Sequence, residues 1–320
     1  MIDDINNPPA TIDKMSEDEA LLLLWALISD VPEQEWEEFV YDLIYKNRFT
    51  VSHKVIDEII KNAETQVRTI NKGQVFYRAR IYRQNPLKAF LAEAYRYDNT
   101  KKEGKTDSNN RDKQGEFYYM SLAATMMALE NKTKKSKEII TAYNKWKRKL
   151  FKGFNAKDSG APPADKTTSG RINPERISYL YLAEDPETAI YEVRPTIGQH
   201  VSVASFRLID EVKIYDLTIA DQYSTNQKKD VALFRVIQEH FSEPNTGNAF
   251  KYLPTQYLGE IIKQIGFDGI RYKSSLRNDG VNIVLFNQKK CRSFRSDIIK
   301  VDSIELKYVN PDIYELEKYI

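Results

Sequence analysis

The chain is short of the residues that most often announce a chemistry. Among its 320 residues there is one cysteine, Cys291, and there are three histidines, His53, His200 and His240. A single thiol cannot form an internal disulfide and suits a reducing compartment. It could also be a reactive group, but a catalytic thiol needs a base, and no histidine lies near Cys291 in sequence. No cysteine and histidine cluster, H-E-x-x-H or G-x-S-x-G occurs, which sets aside zinc hydrolases and serine esterases. Long apolar runs are missing too. The longest, Leu21 to Ile28, is far too short to cross a bilayer, and the acidic, polar start carries no secretory signal. The expectation is a soluble cytoplasmic protein with no membrane partner.

An excess of charge of one sign is also lacking. The 48 lysines and arginines nearly cancel 46 acidic residues, leaving a formal +2, so no overall field compels a nucleic-acid partner. The run Lys132, Lys134, Lys135, Lys137, Lys145, Lys147, Arg148, Lys149 and Lys152 could form a nucleic-acid face. Helical lysines are more often solvated, and Tyr143, Trp146 and Phe151 beside them read as packing inward. No nucleic-acid partner is expected. Two phosphate-binding signatures are absent as well. Gly104-Lys105-Thr106 resembles the end of a P-loop, but the first glycine would have to stand at Asn99. There is no G-x-G-x-x-G, so binding of NAD cannot rest on a Rossmann fold.

What is present suffices for a packed core, since 41% of the residues are hydrophobic and the length allows one large or two ordinary domains. Ser16 and Glu19 have capping-box spacing ahead of Leu21 to Ile28, and Pro32 stands where a second helix would begin. Trp36, Phe39, Val40, Leu43 and Ile44 then recur at helical spacing on one face. Val51 to Val67 is a third candidate helix, and the small bundle ends at Asn71-Lys72-Gly73. Gln74 to Tyr82 switches to a period of two, with Phe76, Arg78, Arg80 and Tyr82 on one face. Asn99 to Gly115 and Ala161 to Gly170 read as loops, with a helix from Phe117 to Phe151 between them. Further strands are expected at Val201 to Ile209, Val212 to Leu217, Gly269 to Lys273, Asn282 to Phe286 and Ser303 to Val309. Helices are expected at Lys229 to Phe241 and Thr255 to Ile265. Without strict βαβ alternation the fold class is α+β.

The stretch around which these elements gather is Gly160 to Pro195. Ser169-Gly170-Arg171 is a small-residue turn that lets backbone and guanidinium approach a phosphate together. A short apolar run then carries Tyr181. Asp185 as N-cap and Pro186 at the first position start a helix that puts Ala189 and Glu192 on one face. Most helix glutamates are merely solvated, and Glu184 or Glu187 could equally be the one that matters. Arg78 and Arg80 are either basic residues on a wet strand face or a bidentate clamp for a pyrophosphate. Tyr77 and Tyr181 are either core aromatics or flat surfaces for a nicotinamide or adenine ring. Ser274 by itself reads as a turn serine bonded to its own backbone.

Taken together, turn, tyrosine strand and A-x-x-E helix (Ala189-Ile190-Tyr191-Glu192) resemble the core of the RES family of bacterial toxins. These are NAD-consuming enzymes named for an arginine, a glutamate and a serine. FYRAR at Phe76 to Arg80 and YKSSLRNDGVNIVLF at Tyr272 to Phe286 resemble the family's flanking elements, so the likeness runs from about Val75 to Asn287. It implies an ADP-ribosyltransferase-like split mixed sheet of α+β class over residues 74–310, with a helical insertion at about 116–152, preceded by a HEPN-like helical domain over residues 1–70.

The resemblance further implies NAD as substrate, cleaved between nicotinamide and ribose, with water, phosphate or a macromolecule as acceptor. Catalytic roles fall to Arg78, Glu192 and Ser274, and NAD binding to Arg78, Arg80, Arg171, Tyr181, Ser274 and Asn282. No metal is implied. Lys273 and Leu276 stand where the family often has proline and arginine, which leaves Ser274 and Ser275 as alternatives. The implied setting is a toxin–antitoxin or phage-defence system, with a helix-turn-helix (Xre-like) antitoxin as partner and a possible homodimer through residues 1–70. Two other readings remain open. Arg48 and His53 form the R-x4-H arrangement that resembles HEPN-type RNases, and the protein could be a non-catalytic nucleotide-binding regulator. One substitution separates the two chemistries. His53→Ala is expected to leave NAD turnover intact in a paired assay on NAD and RNA, and loss of NAD turnover confined to that variant would overturn the assignment.

Overall fold

The computed structural model describes residues 31–93, 134–219, 228–243 and 249–305. The first expected helix, the loop at Asn99 to Gly115, the segment 117–133 and the strand positions beyond residue 305 lie outside them. Among the described residues there are eight strands, with both parallel and antiparallel pairings, and helices interspersed, so the fold is α+β and mixed. No helix of the described residues is long and apolar enough to cross a membrane. The chain forms two compact units and visits each more than once. One comprises residues 1–74, 161–182 and 208–290, and the other 75–160, 183–207 and 291–320.

In the first unit the strands run in the order β1 (Val67–Ile70), β5 (Val212–Asp216), β6 (Gly269–Lys273) and β7 (Val281–Leu285). β1 pairs antiparallel with β5, β5 parallel with β6, and β6 antiparallel with β7. The helix over residues 31–41 and the helix Lys54–Lys61 do not make a bundle of their own. Trp36, Phe39, Leu43, Val55 and Ile59 share one core with Tyr215, Phe234, Phe241, Leu258 and Ile270. The Tyr215 hydroxyl donates to the Ile59 carbonyl at 3.1 Å, and Trp36 stacks on His240 with centroids 4.2 Å apart. The alternation of apolar residues seen from Trp36 to Leu43 is thus the face turned to this core.

The third helix is shorter than its pattern predicts. His53 caps it, Asn62 closes it by bonding back to the Glu58 carbonyl, and the chain is in β1 by Val67. Val67, Thr69 and Ile70 are β-branched, and pairing with β5 decides for strand over helix.

The second unit orders β2 (Val75–Tyr82), β4 (His200–Leu208) and β8 (Cys291–Lys300), with β2 antiparallel to β4 in unbroken register from Val75↔Arg207 to Tyr82↔His200, while the short strand β3 (Leu180–Ala183) belongs to the first unit up to Leu182. β8 has no counterpart in the hydrophobic pattern. Its buried positions include Ser293 and Ser296, and Ser296 Oγ donates to the Phe154 carbonyl at 2.7 Å, so small polar residues replace the apolar ones that would have marked the strand. The strand expected from Ser303 is not formed over residues 303–305. Because Phe39 is fully buried in the first core, Phe39→Ala is expected to lower stability by about 3–5 kcal/mol in urea unfolding. A loss under about 1 kcal/mol would show that the 31–41 helix does not belong to that core.

Candidate functional site

In the first unit the arginine turn is tied from several sides. Asn173 donates through Nδ2 to the Thr168 and Pro174 carbonyls, both at 3.0 Å. The Tyr181 hydroxyl donates to Asn173 Oδ1 at 2.7 Å and accepts from the Ile172 amide at 3.0 Å. Gln256 and Thr255, from the Leu253–Gln264 helix, donate to the Gly170 and Arg171 carbonyls. Gly170 is required by space. A Cβ there would stand 2.4 Å from Asn173 Oδ1 and 3.0 Å from the Tyr181 hydroxyl. Arg171, so delivered, donates to the Phe241 carbonyl at 2.6 Å, and its guanidinium lies over the rings of Tyr252 and Tyr272, 5.6 and 5.5 Å from their centroids. Burial pushes the Tyr181 phenol up to about 12, so it remains a neutral donor at physiological pH. Its hydroxyl thus secures the turn that carries Arg171.

Ser274 and Asn282 lie in the same unit and are both buried. Ser274 follows β6, where its amide donates to the Gly280 carbonyl at 2.8 Å and its Oγ accepts from the Leu276 amide at 3.2 Å. Asn282 stands opposite Tyr272 in the β6–β7 register. Sequence reasoning missed a neighbour on β5. Asp216 is fully buried, meets Arg271 through both carboxylate oxygens at 3.1 Å, and lies 3.4 Å from Arg68. The available signal was an aspartate inside the apolar run from Val212 to Leu217. A buried carboxylate must be paired.

The second unit holds Arg78, Arg80 and Glu192. Arg78 donates to the carbonyls of Ser159 and Gly160, and Arg80 to those of Asp158 and Gly160. Neither guanidinium has a carboxylate within ion-pair distance among the described residues. Burial, with the Arg80 charge adding, pushes the Arg78 guanidinium down to about 9. The pair therefore secures the turn that ends the Ala156–Ser159 helix while concentrating positive charge there.

Glu192 ends the Pro186–Glu192 helix, capped as its sequence predicts. Asp185 accepts from the Thr188 amide at 2.8 Å and from its hydroxyl at 2.6 Å. The buried Ala189 of this helix packs with Tyr77, Ala79 and Ile81, the face of β2 opposite to Arg78 and Arg80. The helix that ends at Glu192 thus shares its face of β2 with Tyr77, while the two arginines belong to the other face.

His53 acts as a helix cap through one ring nitrogen. Its Nδ1 accepts from the Val55 amide at 3.3 Å as a helix cap, and Arg48 lies in the exposed bend before it. Donor atoms of Glu35, Glu38 and His53 approach within 4.8 Å of one another, but Glu35 is ion-paired to Lys54 and His53 serves as the cap, which accounts for the group without an ion. The Cys291 thiol is buried and pushed up to about 12, which makes it inert.

Comparison with known proteins gives two findings. A sequence model of the RES domain matches residues 143–308, a span that contains Arg171, Tyr181, Glu192, Ser274 and Asn282 and leaves out Arg78 and Arg80. A solved structure, the M. tuberculosis MbcT-MbcA toxin-antitoxin complex, is similar at a TM-score of 0.36 and 10% identity, over 77% of this chain and 94% of that chain. No curated protein matches the sequence.

The Tyr181 hydroxyl gives a direct test of the turn. Tyr181→Phe removes one acceptor and one donor, leaving the Ile172 amide and Asn173 Oδ1 short of a partner, and is expected to lower stability by about 1–3 kcal/mol. The folded phenol holds its proton more tightly than the unfolded one. Its contribution is therefore complete below the ordinary value of 10.0 and fades as pH rises toward about 12. Urea unfolding of parent and variant between neutral and alkaline pH checks both, the variant showing the shallower alkaline decline.

Proposed function

This chain belongs to the RES domain family, and we propose that it is a toxin of that family which consumes NAD by cleaving the bond between nicotinamide and ribose. The observation that carries the reading is the extent of the family match, which takes in the arginine turn, the tyrosine strand, the A-x-x-E helix and the serine segment together. In the proposed reaction the bond from ribose C1′ to the nicotinamide nitrogen breaks, and its electron pair leaves with nicotinamide. Positive charge then develops on the ribose, and the Glu192 carboxylate stabilises it while accepting a hydrogen bond from a ribose hydroxyl. Water or phosphate attacks C1′ and gives up a proton, which yields ADP-ribose or its 1-phosphate.

The other residues have roles that follow from their surroundings. Arg171, backed by two aromatic rings and held by the Phe241 carbonyl, suits a pyrophosphate contact. Arg78 and Arg80 add positive potential and fix the 158–160 turn. Tyr77, on the face of β2 against which the Glu192 helix packs, is the aromatic surface for the nicotinamide ring. Tyr181 is a positioning residue that sets Arg171. Ser274 and Asn282, both buried, orient substrate from the β6–β7 pair. The proposed partner is a helix-turn-helix antitoxin that restrains the toxin, and a macromolecule in place of water or phosphate would make the same bond cleavage an ADP-ribosyl transfer.

Glu192→Gln separates charge from shape. The exposed site tolerates the amide, so folding should be retained, and NAD cleavage is expected to fall by roughly 100-fold or more because an amide cannot offset the developing positive charge. Product analysis with and without phosphate identifies the acceptor. Turnover within a few-fold of the parent by the folded variant would remove Glu192 from the mechanism.

A further inference from the structure

Arg171 meets the end of a helix that comes much later in the chain. The last carbonyls of a helix have no amide partner within it, and in the last turn of the Lys228–Ser242 helix the Phe241 carbonyl accepts from Arg171 at 2.6 Å instead. Helix ends fray unless something holds them. Whatever fixes this turn of helix therefore also fixes the atom against which the Arg171 guanidinium is set.

The residue before Phe241 supplies that hold, and every group involved lies in the first unit. The His240 ring stacks on Trp36 with centroids 4.2 Å apart and the two planes 9° from parallel. Its Nε2 stands 3.1 Å from Glu33 Oε1, and its Nδ1 stands 3.0 Å from Glu243 Oε1. Lys251, from the Ala249–Tyr252 turn, binds the other Glu243 oxygen at 2.8 Å. Trp36 and Glu33 both belong to the helix over residues 31–41, so that helix is clasped to the turn that carries the Phe241 carbonyl. Glu33 and Glu243 are the charged groups on the ring among the described residues, and residues 244–248 have no ionisable side chain in their sequence.

An ionised carboxylate can only accept. Both contacts to His240 are therefore hydrogen bonds only while both ring nitrogens carry protons. When the ring gives up one of them, a lone pair faces a carboxylate and the clasp opens on that side. We propose that His240 is a positioning residue for Arg171. The doubly protonated ring, held by Glu33, Trp36 and Glu243, keeps the Phe241 carbonyl where it sets the guanidinium for NAD, and loss of a proton loosens that hold. The clasp is complete at lower pH and is lost as pH rises. The helix over residues 31–41 thereby acts on substrate binding from outside the site. This rests on the reading of Arg171 as the pyrophosphate contact of an NAD-cleaving enzyme.

Steady-state NAD cleavage by the full chain, measured from about pH 6 to about pH 8.5, tests this. In the parent, KM for NAD is expected to rise by about fivefold or more across the range, with kcat changing by less than about twofold. His240→Gln keeps a hydrogen-bond donor but has no proton to lose, so its KM should be raised already at the acid end and stay flat. Glu33→Gln provides an amide that can donate to a ring nitrogen that has lost its proton, so the rise should be shallower than in the parent. A flat KM in the parent, a parent-like profile in folded His240→Gln, or an effect confined to kcat overturns the proposal. Should His240→Gln fail to fold, Glu33→Gln decides, because a rise as steep as the parent's overturns it equally. A parent that does not cleave NAD at all overturns the reading of the site and this inference with it, whereas cleavage with a flat KM overturns this inference alone.

Discussion

The candidate site in the first unit depends on one hydroxyl, that of Tyr181, placed between the Ile172 amide and Asn173 Oδ1. Together with Gln256 and Thr255, which hold the Gly170 and Arg171 carbonyls, it shapes the arginine turn. The approach to Gly170 leaves no room for a Cβ, the bond to Asn173 Oδ1 fixes the amide with its Nδ2 on the Thr168 and Pro174 carbonyls, and the Arg171 guanidinium lies over Tyr252 and Tyr272. A turn with this many main-chain bonds has few conformations left to lose when it meets a ligand. That is the physical meaning of preorganisation, since ordering a flexible arginine-bearing loop at the moment of binding would subtract from affinity.

The buried charges divide into two kinds with different uses. Asp216 and Arg271 satisfy each other at 3.1 Å, and this pair anchors the end of β5 and the turn beyond it. Removing one partner of such a pair costs about 3–5 kcal/mol, because the survivor is left charged and dry. Arg78 is the other kind. Carbonyl dipoles at the 158–160 turn accept from it, no carboxylate among the described residues is within ion-pair distance, and burial depresses its affinity for a proton. A positive potential maintained against desolvation is a ready place for an anion. Arg78 lies on the face of β2 away from the Glu192 helix.

Residues 31–61 bear on function through packing. Their buried side chains complete the core under β5 and β6, and the His240 ring that stacks on Trp36 also meets Glu33 and Glu243. The contacts to His240 and Lys251 outweigh burial and hold the Glu243 carboxyl down at about 2. His53, the histidine of the R-x4-H arrangement, caps the Lys54–Lys61 helix through Nδ1.

Local signals in the sequence were enough for much of this. The N-cap at Asp185 with Pro186, the period-two run of β2, the amphipathic face from Trp36 to Leu43, and the segments from Gly269 to Lys273 and Val281 to Leu285 are each specified by neighbours close in the chain. The same holds for the family likeness, which rests on short motifs. Contacts between residues distant in sequence decided the rest. Pairing with β5 turned Val67 to Ile70 into a strand, and a serine-lined interface with the 150–154 segment made β8. Packing of Ala189 on β2 chose which face carries the Glu192 helix, and the bond from Tyr181 to Asn173 ties the tyrosine hydroxyl to the turn that carries Arg171. Periodicity records which side of an element is apolar, but not which partner will cover it, and the partner fixes where each functional group points.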